Sequence, residues 1–141
     1  MPRLPSVETM MANDEASRAL GIELIDQDEG RAVTRMTVRG DMVNGHAMAH
    51  GGLIFTLADT AFACACNSFG PVTMAASAEI VFVAPARAGD VLVAEAVLRT
   101  RFGRSGVYDV TVRRGGEVIA EFRGHSHQLG HHAGHQLGPV S

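Results

Sequence analysis

Gly51-Gly52-Leu53-Ile54-Phe55-Thr56-Leu57-Ala58-Asp59-Thr60-Ala61-Phe62-Ala63-Cys64-Ala65-Cys66-Asn67 is the stretch on which the fold turns. It is long enough for a helix, and Asn67 followed by Gly70-Pro71 supplies a stop signal. At about 100° per residue its apolar side chains point in every direction, so this helix belongs inside protein and not on a surface. From Met42 to Ala78 the only formally charged side chain, His aside, is Asp59. The sequence therefore predicts a core helix that carries one carboxylate at mid-length.

Outward from that helix the pattern is that of a sheet. Residues 7–20 suit a short amphipathic helix closed by Gly21. Residues 22–25 and 31–39 read as strands joined in a hairpin at Asp28-Glu29-Gly30, with Ala32, Thr34, Met36 and Val38 on one face. After Pro71 the period falls from about 3.6 to 2. Ala78, Ile80 and Phe82 alternate with Ser77, Glu79, Val81 and Val83, and residues 84–89 form a loop. Residues 91–101, 105–114 and 118–127 then make three strands of an antiparallel meander, punctuated by Gly103 and Gly115-Gly116. Helix, two strands, buried helix and four strands give an α+β class, a curved antiparallel sheet wrapped around a central buried helix. A chain of 141 residues has difficulty covering a helix that is apolar all round, so a second copy is expected on the uncovered side.

Length and composition agree with a single domain, residues 1–128, followed at 129–141 by a flexible His- and Gly-rich tail. Apolar residues at 46% and charged ones at 19% are sufficient for a buried core. All twelve basic residues are Arg and the net charge is -3, so no basic field nominates nucleic acid as a partner. With no Trp and one Tyr, few side chains are available for base stacking. Residues 1–8 lack the apolar run of a secretory signal, and a cytoplasmic location is expected. A membrane-spanning reading of residues 51–69 fails on the cost of a mid-span Asp and on the dilution of the run by Thr, Asn and Ser.

The chemistry gathers at the start of the core helix. A turn-rich segment delivers Asn44, His46, His50, Gly51 and Gly52 to its N-terminus, where unpaired N–H groups and a partial positive charge make an oxyanion-binding geometry. The glycines allow close approach of a ligand oxygen. Asp59, two turns in, lies beside Phe55, Ala63 and Cys66 with no cationic neighbour one turn away. Burial should raise its pKa and leave it ready as base or nucleophile. Asn44 before Gly45 reads equally as a turn former or as a site group. His50 reads as a satisfied core histidine or as a donor at the helix start; a role is assigned to it and none to His46. Cys64 and Cys66, two apart on one element, are poorly placed for a disulfide and read as protonated packing thiols. His125, His127, His131, His132 and His135 lack the fixed geometry of a functional metal site, and no metal is expected.

Asn44, His50 six positions on, Gly51 next and Asp59 nine beyond His50 form a spaced set that resembles the phenylacetic acid degradation (PaaI-type) branch of the hotdog-fold acyl-CoA thioesterases. Ala61-Phe62-Ala63-Cys64-Ala65-Cys66-Asn67-Ser68 continues the likeness, as do Ala84-Pro85-Ala86-Arg87-Ala88-Gly89-Asp90 and Gly103-Arg104-Ser105-Gly106-Val107-Tyr108-Asp109-Val110, so that it spans about residues 6–128. The resemblance implies the hotdog fold and dimers with two active sites at the subunit interface, usually paired into a tetramer. It also implies that Asp59 comes from one subunit and Asn44 with His50-Gly51 from the other. The implied activity is hydrolysis of an acyl-CoA to the free acid and CoA, with no cofactor. Asp59 would activate water or attack the thioester, the Gly51 N–H assisted by Asn44 would polarise the carbonyl, and Ser77 would help hold water.

Arg87, Arg99, Arg101 and Arg104 are candidates for the CoA phosphates, Arg104 foremost, against a reading as a solvated strand face. Phe55, Phe62 and Met48 are expected to line an apolar acyl pocket suited to phenylacetyl-CoA, its hydroxylated forms, or medium-chain acyl-CoA. Two alternatives stand beside the thioesterase. One is a non-catalytic acyl-CoA-binding module or sensor, which gains little from an unpaired carboxylate in an apolar helix. The other is a hotdog hydratase or dehydratase, whose members typically use a different His with an acidic partner.

Overall fold

The computed structural model describes residues 5–129. Two short helices, α1 (Pro5–Ala12) and α2 (Glu15–Ala19), precede the hairpin of β1 (Glu23–Asp28) and β2 (Arg31–Thr37). A 3-10 turn at Gly40–Met42 leads to α3 (Gly51–Cys66), and β3 (Thr73–Phe82), β4 (Val91–Phe102), β5 (Ser105–Arg114) and β6 (Glu117–Gln128) follow. All pairings are antiparallel, in the order β1-β2-β4-β5-β6-β3. The expected meander is β4-β5-β6. Helix α3 touches all six strands, which a flat sheet does not permit. The sheet therefore curves around it as expected, and remains open with β1 and β3 as its edges.

Large side chains fix this wrap. Phe62 of α3 is 1% exposed and meets the rings of Tyr108 and Phe122 at centroid distances of 5.6 and 5.7 Å. Gly124 of β6 lies directly over it: a Cβ there would stand 2.8 Å from Phe62 Cζ, so only glycine lets strand and ring come this close. The sheet face toward the helix is made of Ala94, Ala96, Val110, Val112 and Ala120, all fully buried. Small residues on the strands leave room for the aromatic and branched residues of α3.

Several boundaries differ from the sequence reading. The expected helix over 7–20 is two helices, because Asp14 accepts a hydrogen bond from the Ser17 N–H at 2.9 Å and restarts the helix as an N-cap. Strand β2 stops at Thr37. Val38 instead exchanges hydrogen bonds with the 89–90 turn, donating to Asp90 O and accepting from the Gly89 N–H. Strand β3 begins at Thr73, four residues early, and a bulge between Ala75 and Ser77 breaks the alternation that would have revealed it. Leu129, assigned from sequence to the tail, donates to Val72 O at 2.9 Å; the rest of that stretch, 130–141, lies outside the described residues.

Within one chain α3 is not enclosed on every side. Gly52, Phe55, Thr56, Asp59 and Ala63 retain exposure, while Ile54, Leu57, Ala58, Ala61 and Ala65 are buried. The exposed set recurs every three or four residues and forms one stripe along the helix. Among the described residues no helix is long and apolar enough to cross a membrane.

Candidate active site

The loop before α3 is closed by Asn44. Its Oδ1 accepts from the N–H groups of His46 at 2.9 Å and Met48 at 3.2 Å, and its own N–H donates to Met48 O at 2.7 Å. Ala47 completes the reversal at φ 60°, a conformation that costs a non-glycine residue free energy. The turn thus consumes the carboxamide oxygen of Asn44. The Nδ2 group has no acceptor among the described residues, so Asn44 builds the loop and keeps a donor free. His46 is exposed and lends the turn its backbone N–H.

His50 is the N-cap of α3 and is exposed, which removes the reading as a core histidine. Its Nδ1 accepts from the Gly52 N–H at 3.3 Å, so the neutral ring carries its proton on Nε2. Its backbone oxygen accepts from Leu53 at 2.9 Å and Ile54 at 3.3 Å, while its own N–H is bound to Met42 O and that of Ala49 to Ala86 O. From Ala49 to Ile54, only the Gly51 amide has no acceptor among the described residues. It is a free donor at the positive end of a 16-residue helix.

Gly51 forms part of an open cleft of about 340 Å³, together with Asn44, Met48, Ile54, Phe82 and the loop from Val83 to Ala86. A Cβ on Gly51 would stand 3.0 Å from Phe82 Cζ, so the close approach of that ring accounts for the glycine. From sequence Phe82 alternates with its neighbours in a strand beside Ala78 and Ile80 and is assigned no part in the site. Its approach to Gly51 joins residues thirty-one positions apart, beyond the reach of local periodicity.

Asp59 lies on the open stripe of α3, half-buried, with no hydrogen-bond donor to its carboxylate among the described residues. The neighbouring hydroxyls are occupied, Thr56 Oγ1 donating to Gly52 O and Thr60 Oγ1 to Thr56 O, both at 2.9 Å. Burial, and then the carboxylate of Asp14, push the Asp59 pKa up from the usual value. Asp14 reaches this region through Ser17: Asp14 Oδ2 accepts from Ser17 Oγ at 2.7 Å, which lies 2.9 Å from Thr60 Oγ1. Asp14, three residues before Ser17, is the cap signal that an amphipathic reading of this stretch overlooks.

The other candidates are dispersed. Ser77 is exposed at the bulge of β3, beside Glu79 and His125. Phe55 is half-buried and packs edge-on to Phe122 at 5.3 Å. Met48 lines the cleft as expected, but Phe62 belongs to the core and forms no pocket wall. The four arginines do not form one cluster in the chain: Arg87 precedes β4 and Arg104 follows it, at opposite ends of a twelve-residue strand. Arg99 pairs with Asp109 at 3.2 Å, Arg101 stacks 3.9 Å from the centroid of Phe69, and Arg104 is exposed. Cys64 and Cys66 are buried and not joined in a disulfide, and burial followed by the charge of Asp59 pushes the Cys66 pKa up to about 12. Among the described residues no group of three or more His, Cys, Asp or Glu side chains is arranged to hold a metal ion; His131, His132 and His135 lie outside them.

Comparison with known proteins gives consistent matches. The thioesterase superfamily model matches residues 46–121, which include His50, Gly51 and Asp59. The acyl-coenzyme A thioesterase PaaI of Escherichia coli is 47% identical over 126 residues, 89% of this chain and 90% of that protein. The solved structure of the E. coli PaaI protein from the phenylacetic acid degradation operon has a TM-score of 0.87 at 46% identity, covering 89% of this chain and 91% of that one. A mutant of the phenylacetic acid degradation protein PaaI from Thermus thermophilus has a TM-score of 0.80 at 36% identity, with 82% and 100% covered.

Proposed function

This chain belongs to the thioesterase superfamily, and from that premise we propose that it hydrolyses acyl-coenzyme A thioesters to the free acid and coenzyme A. The proposed substrates are aryl-CoA, such as phenylacetyl-CoA or its hydroxylated forms, and medium-chain acyl-CoA, acted on in the cytoplasm.

One observation carries the reading. A free amide at Gly51 and an unpartnered carboxylate at Asp59 occur on the same helix, yet eight residues of helix separate them by about 12 Å. No single carbonyl spans that distance. Two copies packed with their α3 helices antiparallel bring Asp59 of each to the Gly51 of the other, and cover the open stripe. The free edge of β3, with Val81 and Phe82 exposed and Val83 exposed just beyond it, offers the strand pairing that such a dimer needs. We place two sites at that seam and two dimers in a tetramer.

The chemistry matches the parts. The Gly51 N–H, assisted by Asn44 Nδ2, stabilises the negative charge that develops on the thioester oxygen. His50 holds the first turn in place by accepting from the Gly52 N–H. Asp59 attacks the carbonyl carbon or takes a proton from an attacking water, and its raised pKa makes it a stronger base than an exposed carboxylate. A thiolate leaves readily, so a strong general acid is dispensable. Ser77 and the exposed Arg104 are assigned to water and to coenzyme A phosphate, and Phe55 to the acyl group.

The test is release of free thiol, followed with a thiol dye, from a panel of aryl, short, medium and long acyl-CoAs. Turnover is expected, and Asp59→Asn should abolish it. Measurable CoA affinity with no thiol release across the panel would instead favour an acyl-CoA-binding module. Single turnover in heavy-oxygen water tests for direct attack: label in the Asp59 carboxylate marks an anhydride intermediate hydrolysed at its Asp59 carbonyl.

A further inference from the structure

We propose, resting on the thioesterase reading, that Phe82 determines specificity by restricting the carbon next to the thioester carbonyl to an unbranched methylene. The ring meets Gly51 end-on: Cζ would stand 3.0 Å, and Cε1 and Cε2 each 3.4 Å, from a Cβ on that residue. A carbonyl oxygen bound to the Gly51 N–H lies about 2.9 Å from its nitrogen. The substituents of that carbonyl therefore pass within contact range of the ring edge.

The backbone that carries the ring is held there. Phe82 is the last residue of β3, paired with Ala120, and the next two amides, of Val83 and Ala84, both donate to Ile119 O at 2.8 and 3.2 Å. The backbone at its base is thus fastened to β6, while the side chain is 52% exposed and projects into the cleft. Pantetheine carries amides that need hydrogen-bonding partners. The cleft walls beside Phe82 are Met48, Ile54, Val83, Ala84 and Pro85, which bear no charge and suit the acyl group. A methylene clears the ring edge, whereas a methyl branch at the same carbon meets it.

The measurement is kcat/KM for the isomers butyryl-CoA and isobutyryl-CoA, with wild type, Phe82→Ala and Phe82→Leu. Wild type should favour the straight chain by roughly tenfold or more, the scale on which one badly placed carbon discriminates. Phe82→Ala should bring the ratio close to one, with Phe82→Leu in between. A purely structural role would lower both substrates together and leave the ratio unchanged. An unchanged ratio in Phe82→Ala, or in Phe82→Leu should the alanine variant fail to assemble, overturns the proposal. So does a wild-type ratio near one. Absence of thiol release from either isomer and from every other acyl-CoA is a different result, and removes the thioesterase reading itself.

Discussion

Gly51 and Asp59 lie on one helix, eight residues and about 12 Å apart, with the free amide at its start and the unpartnered carboxylate at its middle. In the proposed mechanism each is half of a hydrolytic site, and the separation assigns them to different sites. Removing the amide alone tests the first half. Gly51→Pro takes away that N–H at the first helical position, where proline is tolerated, and His50 before it already has an extended conformation with ψ 131°. Because any Cβ at this position stands 3.0 Å from Phe82 Cζ, the reference is Gly51→Ala, which adds the same Cβ and keeps the N–H; relative to it Gly51→Pro should fold and lose roughly a hundred- to a thousandfold in kcat, the usual effect of one oxyanion donor. Circular dichroism together with thiol release checks both parts, and full activity would remove the amide from the mechanism.

The other half has a pH signature. Burial and Asp14 raise the Asp59 pKa in the folded chain, so between the ordinary carboxylate value of about 3.9 and that raised value the folded state holds more protons than the unfolded one. Stability then falls as pH rises through this window, and the charged side chain is destabilising above it. Asp59→Asn lacks the ionisation. Its Tm should exceed that of wild type at neutral pH, with the gap closing as the pH is lowered below about 4. Thermal melts across this range check the sign. In wild type the acid limb of kcat should lie above the ordinary carboxylate range.

Gly124 and Phe62 make a steric prediction. Gly124→Ala places a methyl group 2.8 to 2.9 Å from the ring atoms of a residue that is 1% exposed, and should destabilise by about 1–3 kcal/mol. Adding Phe62→Leu should recover part of the loss relative to the sum of the single substitutions, a coupling that denaturant melts of the four proteins measure.

Cys66 should be inert. Its thiol is buried with its pKa raised to about 12, and Cys64 is fully buried. Folded protein at mildly alkaline pH should react with neither iodoacetamide nor a disulfide dye, and denaturant should release two thiols per chain. Cys66→Ala should retain turnover; its loss would assign the thiol a part in the chemistry.

The centre of this molecule is readable from sequence because α3 is apolar on all sides with a single charge, a pattern few other structures satisfy. Glycines at 103 and 115, with φ values of 58° and 57°, mark the turns of the meander just as plainly. Local conflict conceals the rest. Asn13-Asp14 fits an amphipathic helix by polarity, while the Asp14 side chain caps the start of a second helix. The bulge before Ser77 shifts the alternation of β3 by one residue. Asn44 reads both as turn and as site because its two amide atoms are used differently, the oxygen in the turn and the nitrogen left free. The contact of Phe82 with Gly51, and the distance from Arg87 to Arg104, are products of tertiary folding that spacing along the chain does not encode.

The claim that one copy of the chain completes the site of another is tested by mixing two inactive variants. Asp59→Asn lacks the carboxylate and Gly51→Pro lacks the amide, so each homodimer has two defective sites. A heterodimer places both defects in one site and leaves the other intact. Unfolded together and refolded, equal amounts of the two should recover about a quarter of wild-type turnover, since half the dimers are mixed and each has one working site. If each active site were contained within a single chain, the mixture would stay as inactive as its components.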